Sequence, residues 1–391
     1  MSTVRKRLIF IIVYLAYTSI YIARVNLSVA GPNLISEGIL NTVQMGLLGS
    51  VFSTVYALGR ILNGTLSDKT PPWIMLTTGL ALAGLANIFI SFFPPYIGIF
   101  VLWTSNAYAQ SMLWSSVLCV VSSMHETNEA KKKTSIMVTS VAMGNILAIL
   151  INSYLITKLG TSFAFAVPGF LTLALGVLVL FSTKNIKPSQ KETKKHIPVW
   201  KLLKNKSVLA MGVPAVFHGV MKENISLWMA VFVVDKYSVD LSTSSYYILL
   251  IPFVGFIGRT LYPFFYKLCK DKENTVSLVG FFLCVASSLL LCTGTVNMLG
   301  AILAMSIIYA AVSMINTSIL SIFPLHFVST GNVASISGVM DFATYLGGGI
   351  ASFIYGIVIK NFGYVPMFAS WVVISLISVG FILKIATKSD E

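Results

Sequence analysis

The chain has 391 residues, of which 56% are hydrophobic types and only 10% are charged, and its mean hydropathy is +0.85. Because an ordinary soluble domain is about 25% charged, this composition excludes a soluble globular enzyme and a disordered chain. It predicts a polytopic membrane protein. A helix needs roughly 20 apolar residues to cross the hydrocarbon core, so the length accommodates about twelve spans.

The charge balance is strongly basic, with 27 Lys and Arg against 13 Asp and Glu and a formal net charge of +14. The basic residues lie mainly in short loops between apolar runs. We therefore attribute the excess to membrane orientation and not to nucleic acid. The four cysteines show no metal-binding spacing, so we expect free thiols and neither a metal site nor a cofactor.

Twelve apolar runs follow one another along the chain, and only helices satisfy backbone polar groups over such lengths in lipid. We predict an all-α membrane protein of twelve transmembrane helices in two pseudo-symmetric six-helix halves. The halves are residues 1–183 and 207–391, joined by a basic cytoplasmic linker at 184–206. The predicted spans are 8–30, 43–66, 73–92, 96–123, 134–158, 162–183, 207–235, 243–267, 275–294, 297–325, 332–359 and 364–384.

The distribution of Lys and Arg predicts the orientation of the spans. With the N-terminus inside, the outer segments hold only three basic residues, Lys158, Lys236 and Lys360. The positive-inside rule then places both termini in the cytoplasm of a cell membrane. The linker carries eight lysines, and we expect it to be attracted to anionic lipid headgroups.

The two halves resemble each other at an offset near 200 residues. Two six-helix halves related by duplication are typical of a transporter whose binding site lies near the membrane midplane. The matching segments are Arg24-Val-Asn26 with Lys222-Glu-Asn224, and Gly59-Arg60 with Gly258-Arg259.

Several motifs resemble those of known transporters. Gly64-Thr-Leu66-Ser-Asp68-Lys69 resembles the loop 2–3 signature of the major facilitator superfamily. Three further segments resemble one branch, the organophosphate:phosphate antiporter family of glycerol-phosphate and hexose-phosphate transporters; they are 21–32 (from Tyr21 to Pro32), 110–114 and 338–349. The resemblance implies the major facilitator fold, transport by alternating access and a conformational role for Asp68. We expect a monomer that moves a small anion in exchange for inorganic phosphate or together with a proton.

The chain departs from this family at the predicted site. Val25 stands where the family often has a second basic residue, the segment 140–145 lacks a histidine, and Lys222 stands where the glycerol-phosphate transporters have an arginine. These departures favour a singly charged carboxylate or sulfonate over a doubly charged phosphate ester, although a phosphate ester stays open as a substrate.

Two basic residues lie near the middle of predicted spans, Arg24 in helix 1 and Lys222 in helix 7. A charge at that depth is unfavourable by at least about 2.5–3.5 kcal/mol, so it must face a cavity or a partner. We predict that the two bind an anion, Arg24 through a bidentate fork and Lys222 as a compact charge. The alternative is that Glu223 or Asp341 neutralises them and that they only hold the helices together.

Polar and aromatic residues share helix faces with these two cations. Helical spacing predicts that they line the anion site, and the set is Tyr17, Tyr21, Asn106, Gln110, Trp114 and His218. Glu223 and Asp341 are the candidates for proton coupling, with a structural counter-charge slightly favoured for Glu223. Arg259 joins Arg60, Asp68 and Asp341 as a residue expected to control conformation.

Two other functions have to be considered. One is a proton-coupled exporter of drugs or sugars with the same fold, in which Arg24 and Lys222 are structural. The other is a sensor homologue that no longer transports. No phosphate-cradling loop, metal-ligand cluster or nucleophile constellation occurs in the sequence, so we do not expect an enzyme.

The sequence also predicts a gate. Arg60 and Asp341 lie at similar depth, roughly 9–13 Å inside the cytoplasmic boundary, on helices that face each other in the superfamily fold. We predict an ion pair that closes the cytoplasmic side and separates when the protein opens inward. The pair would bias the equilibrium between the two states by a few kcal/mol.

Asp341→Asn and Arg60→Gln should each shift cysteine accessibility toward the inward-open state. The swapped variant Arg60→Asp/Asp341→Arg should partly reverse this shift. Unchanged accessibility in both single variants would rule out the gate.

Overall fold

The computed structural model describes residues 2–67, 70–184, 186, 205–270, 272–327 and 333–389, and in these ranges the regular structure is helical, without strands. Ten helices in the described part are long and apolar enough to cross a membrane. The other two predicted spans are 96–123, which is divided at Met112, and 207–235, whose apolar run is interrupted by charged residues. Many large apolar side chains face outward, among them Phe92, Ile97 and Phe362, as expected for lipid-facing helices.

The described residues form two compact units. One comprises residues 1–41, 54–192 and 240–245, and the other comprises 42–53, 193–239 and 246–391. The division passes through the second helix, and the predicted boundary of the two halves at the linker stays a prediction. The linker itself lies outside the described residues, apart from its two ends.

The described part of the first unit contains α1, most of α2, α3 to α7 and the first five residues of α9 (Leu241–Ile248). In it, α3 packs on α7 and α4, while α1 packs on α6 and α7. The helices are α1 (Thr3–Ser36), α2 (Thr42–Ser67, from residue 54), α3 (Pro72–Ile90), α4 (Tyr96–Ser111), α5 (Leu113–Met124), α6 (Thr127–Leu159) and α7 (Phe163–Thr183). Glycines allow the closest approach: a Cβ at Gly84 would lie 2.8 Å from the Gly169 carbonyl oxygen, so α3 and α7 touch backbone to backbone.

The second unit is built on three helix pairs, in which α14 packs on α8, α12 on α15 and α10 on α13. Its α-helices are α8 (Lys206–Tyr237), α9 (Leu241–Ile248, from residue 246), α10 (Leu250–Thr260), α11 (Tyr262–Leu268), α12 (Glu273–Cys292), α13 (Met298–Thr317), α14 (Val333–Phe362) and α15 (Val365–Ser389). A π-helical turn, Ser318–Ile322, and a 3-10 turn, Phe323–Phe327, follow α13.

The predicted span 243–267 is interrupted twice, between α9 and α10 at Leu249 and between α10 and α11 at Leu261. Pro252 and Pro263 follow these breaks by three and two residues. Proline has no N–H to donate to the carbonyl four residues earlier, and its ring crowds that carbonyl. The interruptions therefore follow from the positions of the two prolines.

A third proline, Pro324, follows the end of α13 by seven residues. Pro324 cannot donate to the Leu320 carbonyl, and the chain passes there from a π-helical to a 3-10 turn. The Ser337 hydroxyl of α14 donates to the Leu320 carbonyl oxygen at 2.7 Å. A side chain from a neighbouring helix thus satisfies the backbone group that the proline leaves without its helical partner.

Asp240 sits at the start of α9. Its carboxylate accepts hydrogen bonds from the Ser242 hydroxyl and from the Thr243 backbone N–H. These bonds hold the pKa of Asp240 well below its usual range. The first backbone N–H groups of a helix have no acceptor within the helix, and a carboxylate at the N-terminus can accept from them. This explains why α9 begins directly after Asp240.

Candidate functional site

Arg24 lies on α1 between two aromatic rings. Its guanidinium carbon is 4.9 Å from the centre of the Tyr56 ring of α2 and 5.9 Å from the centre of the Tyr21 ring. Both distances are within the range of cation–π attraction. The side chain of Arg24 is only partly buried, so the two rings hold the cation while part of it stays accessible.

Tyr56 also contacts the second arginine of this region. The Arg60 guanidinium carbon is 5.8 Å from the Tyr56 ring centre, and Arg60 Nη1 donates to the Tyr56 hydroxyl at 3.4 Å. Tyr56, which is buried, therefore interacts with both arginines. The sequence analysis did not single it out, although its spacing of four residues from Arg60 on one helix was a signal.

The predicted aromatic stripe on α1 is assembled in the structure. The rings of Tyr17 and Tyr21 are 5.7 Å apart, edge to face, and the ring of Tyr17 is 5.2 Å from that of Trp114 on α5. Tyr17 is buried, whereas Tyr21 and Trp114 are partly exposed. The structure thus brings these three predicted site residues together with Arg24 in one unit.

Two buried amides join α4 to the segment that carries Arg24. Gln110 Nε2 donates to Asn106 Oδ1 at 3.0 Å, and Asn106 Nδ2 donates to the Ala23 carbonyl oxygen at 3.3 Å. The hydrogen bond to Ala23 fixes the backbone next to Arg24. The observed contacts of Asn106 are structural, and the part of both amides in substrate binding stays a prediction.

The asparagines of the internal repeat perform similar roles in the two units. Asn26 Nδ2 donates to Asn87 Oδ1 at 2.7 Å and to the Ala164 carbonyl at 3.0 Å, which joins α1 to α3 and α7. Asn224 Nδ2 donates to the Gly348 carbonyl of α14 at 3.4 Å. Both asparagines are completely buried, so each fixes the helix two residues after a basic residue.

Lys222 lies midway along α8 and is paired with its neighbour in the chain. Its ammonium nitrogen is 3.0 Å from Glu223 Oε1, and their side chains are 23% and 12% exposed. The same nitrogen is 4.7 Å from the Tyr345 ring centre on α14. Adjacent residues on a helix point about 100° apart, but the four-carbon stem of lysine allows the ammonium group to reach back. Lys222 is thus paired with Glu223 in this structure, and its part in anion binding stays a prediction.

Glycines on α14 make room for Glu223. A Cβ at Gly348 would lie 2.5 Å from Glu223 Cγ and 2.8 Å from Glu223 Cβ, and a Cβ at Gly347 would lie 2.7 Å from Val216 Cγ1. Because Gly347 and Gly348 have no side chain, α8 and α14 can approach each other closely at these two positions. The carboxylate is thereby confined between α8 and α14 beside Lys222.

His218 lies one turn before Lys222 on α8. It is completely buried, and the Val312 backbone on α13 is the polar group that approaches its ring. The part of His218 in substrate binding stays a prediction.

The residues expected to control conformation do not all belong to one compact unit. Arg60 belongs to the first compact unit, while Arg259 and Asp341 belong to the second, and all three are partly exposed. The Arg60–Asp341 pair stays a prediction. Asp68 lies outside the described residues.

The helices, their apolar outer surface and the charged side chains within spans define a multi-pass α-helical membrane protein. The sequence profile of the Major Facilitator Superfamily matches residues 13–352, so the chain belongs to this superfamily. The predictions of an all-α membrane protein and of this superfamily are confirmed. Its family and fold are those of membrane transporters.

Curated relatives agree with the resemblance to organophosphate transporters. A glycerol-3-phosphate transporter of Bacillus subtilis is 23% identical over 93% of this chain and 89% of its own length. A probable hexose phosphate transport protein of Chlamydia pneumoniae is 25% identical over 44% of this chain, and only 38% of its own length is matched. The membrane sensor protein UhpC of Escherichia coli is 21% identical over 65% of this chain and 63% of its own length.

Solved structures show the same fold at low identity. A bacterial homologue of the human lysosomal transporter Spinster superposes with a TM-score of 0.77 at 14% identity, over 99% of this chain and 98% of its own. The nucleoside transporter NupG gives a TM-score of 0.76 at 12% identity, over 97% of this chain and 98% of its own.

Proposed function

We propose that this protein is a secondary active transporter that moves a small organic anion across the cytoplasmic membrane by alternating access. The proposal rests on two basic side chains within spans, one in each compact unit. Arg24 and Lys222 both contact aromatic rings and both remain partly exposed. Charged residues within spans almost always face a cavity or a partner and mark substrate pathways. We propose that both residues bind the anion.

The charge of the site favours a singly charged anion. Glu223 compensates Lys222 in this structure, so the positive charge available to a ligand is smaller than two isolated cations would provide. A carboxylate, a sulfonate or the singly charged form of a phosphate ester fits this balance. The transporters named among the relatives act on glycerol 3-phosphate and hexose phosphate, which makes a phosphate ester the first anion to test.

A second candidate is a sensor, because UhpC is among the relatives. A third candidate is a proton-coupled exporter of drugs or sugars with the same fold.

Assays of the purified protein in liposomes distinguish these three functions. A transporter of anions accumulates labelled glycerol 3-phosphate, glucose 6-phosphate or lactate, or exchanges it for an anion inside. A sensor binds one of them without uptake. An exporter leaves all three outside and responds to cationic or neutral compounds. Absence of anion uptake and exchange would therefore overturn the proposal.

We also propose that both termini are cytoplasmic. Fusion reporters placed after Lys195 and after Glu391 should report the cytoplasm, and one placed after Asp240 should report the outside. The reason is that short loops rich in Lys and Arg are retained on the inner side. Alkaline phosphatase fusions are active outside the membrane and green fluorescent protein fusions fluoresce inside, so the two reporters together identify the side of each fusion point. A reversed signal at any of the three positions would show that a span has been miscounted.

A further inference from the structure

A cavity opens in the second unit beside the end of α8, the loop between α12 and α13, and the turn between α14 and α15. Its volume is about 360 Å³, within the range of roughly 300–1,000 Å³ in which proteins bind small ligands. Among the residues that line it are Phe232, Asp235, Lys236, Gly294, Tyr364 and Phe368. Asp235 follows Lys222 by 13 residues, which is about 20 Å along a helix. The cavity is therefore separate from the candidate anion site.

The first unit has a much smaller cavity at the matching place. Its lining includes Leu34, Ile90, Phe93 and Phe165. The internal repeat, at offsets of 198 to 203 residues, aligns these four in order with lining residues of the large cavity, Phe232, Leu291, Gly294 and Phe368. The volume in the first unit is only about 10 Å³. That is about the least space that holds a single water molecule, so no organic ligand fits there.

One pair of residues accounts for the difference between the two cavities. Phe93 and Gly294 follow α3 and α12 in the same conformation, with φ of +47° and +68°, and each N–H donates to the carbonyl three residues earlier. The Phe93 ring lies 6.2 Å from the Phe165 ring, edge to face. Gly294 has no side chain, and a Cβ built on it would come no closer than 3.9 Å to Val365. The space that a phenyl ring takes in the first unit is thus open in the second.

Two opposite charges line the large cavity in addition to its aromatic rings. Asp235 and Lys236 are adjacent at the end of α8, and both are exposed. The Tyr364 hydroxyl donates to Asp235 Oδ2 at 3.0 Å, and a carboxylate can accept several further hydrogen bonds. Glu37 and Gly38 stand at the matching positions of the first unit. The second unit therefore adds an ammonium group to the carboxylate that both units share.

We propose that this cavity binds an aromatic amino acid. The ring of the ligand takes the place that the Phe93 ring has in the first unit, and it packs against Phe368. The ammonium group of the ligand donates to Asp235, and its carboxylate pairs with Lys236. The two charges of the ligand are adjacent, as they are on α8. This site is distinct from the anion site, and the proposal does not depend on the proposed function.

The test measures the binding of labelled L-phenylalanine to the purified full chain. Wild type should bind it saturably. Three competitors each lack one feature of the probe: L-alanine lacks the ring, 3-phenylpropionate lacks the ammonium group, and 2-phenylethylamine lacks the carboxylate. Each should compete at least about tenfold more weakly than L-phenylalanine, because the loss of ring burial or of one charged hydrogen bond is worth about that factor.

Variants locate the binding in this cavity. Gly294→Phe should abolish binding, because the new ring occupies the cavity as Phe93 does in the first unit. Gly294→Ala is the matched control: it places a side chain at the same positive φ but leaves most of the cavity open, so binding should persist. Asp235→Asn still accepts from the Tyr364 hydroxyl and should weaken binding about tenfold or more. Lys360→Gln alters an exposed lysine away from the lining and should bind like wild type.

Several results would overturn the proposal. Absence of saturable binding to wild type up to about 10 mM would do so, and so would equal binding to Gly294→Phe, since the probe would then lie elsewhere on the protein. Equal competition by 2-phenylethylamine would exclude the role of Lys236 and with it the amino-acid class. If Gly294→Phe does not fold, Asp235→Asn decides, and an unchanged affinity contradicts the site. Anion uptake into liposomes is a separate measurement, and its absence overturns only the proposed function.

Discussion

Replacement of Arg24 by alanine should abolish anion uptake. Arg24 is held between the rings of Tyr21 and Tyr56 and offers a planar fork that can bind two oxygens of one anion. Truncating one member of a desolvated charge pair weakens binding by about 2–5 kcal/mol, which is about 30-fold or more. Arg24→Lys should also transport poorly, because a point charge cannot reproduce the bidentate geometry. Initial rates of uptake into liposomes, at matched protein amounts, measure the effect.

Lys222→Ala should reduce anion uptake nearly as much as Arg24→Ala does, but it also removes the ammonium group that pairs with Glu223. The double variant Lys222→Gln/Glu223→Gln removes both charges together and should fold better, since removal of one member of a buried pair is more destabilising than removal of both. Arg5→Ala, which alters an exposed arginine near the N-terminus, is the control and should transport at a rate close to wild type. If Arg24→Ala and Lys222→Ala each retain most of the uptake, neither residue binds the anion.

The second large effect concerns stability. Gly219 on α8 lies against α14 so closely that a Cβ would overlap the Thr344 carbonyl oxygen and lie 2.5 Å from its carbonyl carbon. Because these atoms are backbone, α8 and α14 would have to separate, which would stretch the 3.4 Å hydrogen bond between Asn224 and the Gly348 carbonyl. We expect Gly219→Ala to destabilise the protein by about 1–3 kcal/mol or more, and Gly219→Val to prevent recovery of folded protein.

Gly212 on the same helix provides the matched control. Nothing lies within 4 Å of a Cβ built at Gly212. Since alanine is favoured over glycine within a helix by about 0.5–1 kcal/mol, Gly212→Ala should be neutral or slightly stabilising. Thermal unfolding in detergent, followed by size-exclusion chromatography of the remaining monodisperse protein, compares the two variants. Equal midpoints for Gly219→Ala and Gly212→Ala would contradict the close contact.

The sequence by itself was sufficient for the fold class, because a span in lipid is a local property. A run of about 20 apolar residues satisfies its own backbone as a helix whatever it packs against. The same holds for finding Arg24 and Lys222, since a basic residue within such a run stands out without any tertiary information.

The tertiary structure decided which side chains meet. Tyr56 interacts with both Arg24 and Arg60 because α1 and α2 bring the three together, which no pattern within one helix reveals. Lys222 pairs with Glu223, despite their different directions on α8, because Gly348 of α14 leaves a place for the carboxyl stem. Whether a charge within a span is available to a ligand or already balanced depends on rotamers and on neighbours more than a hundred residues away. Local sequence contains neither.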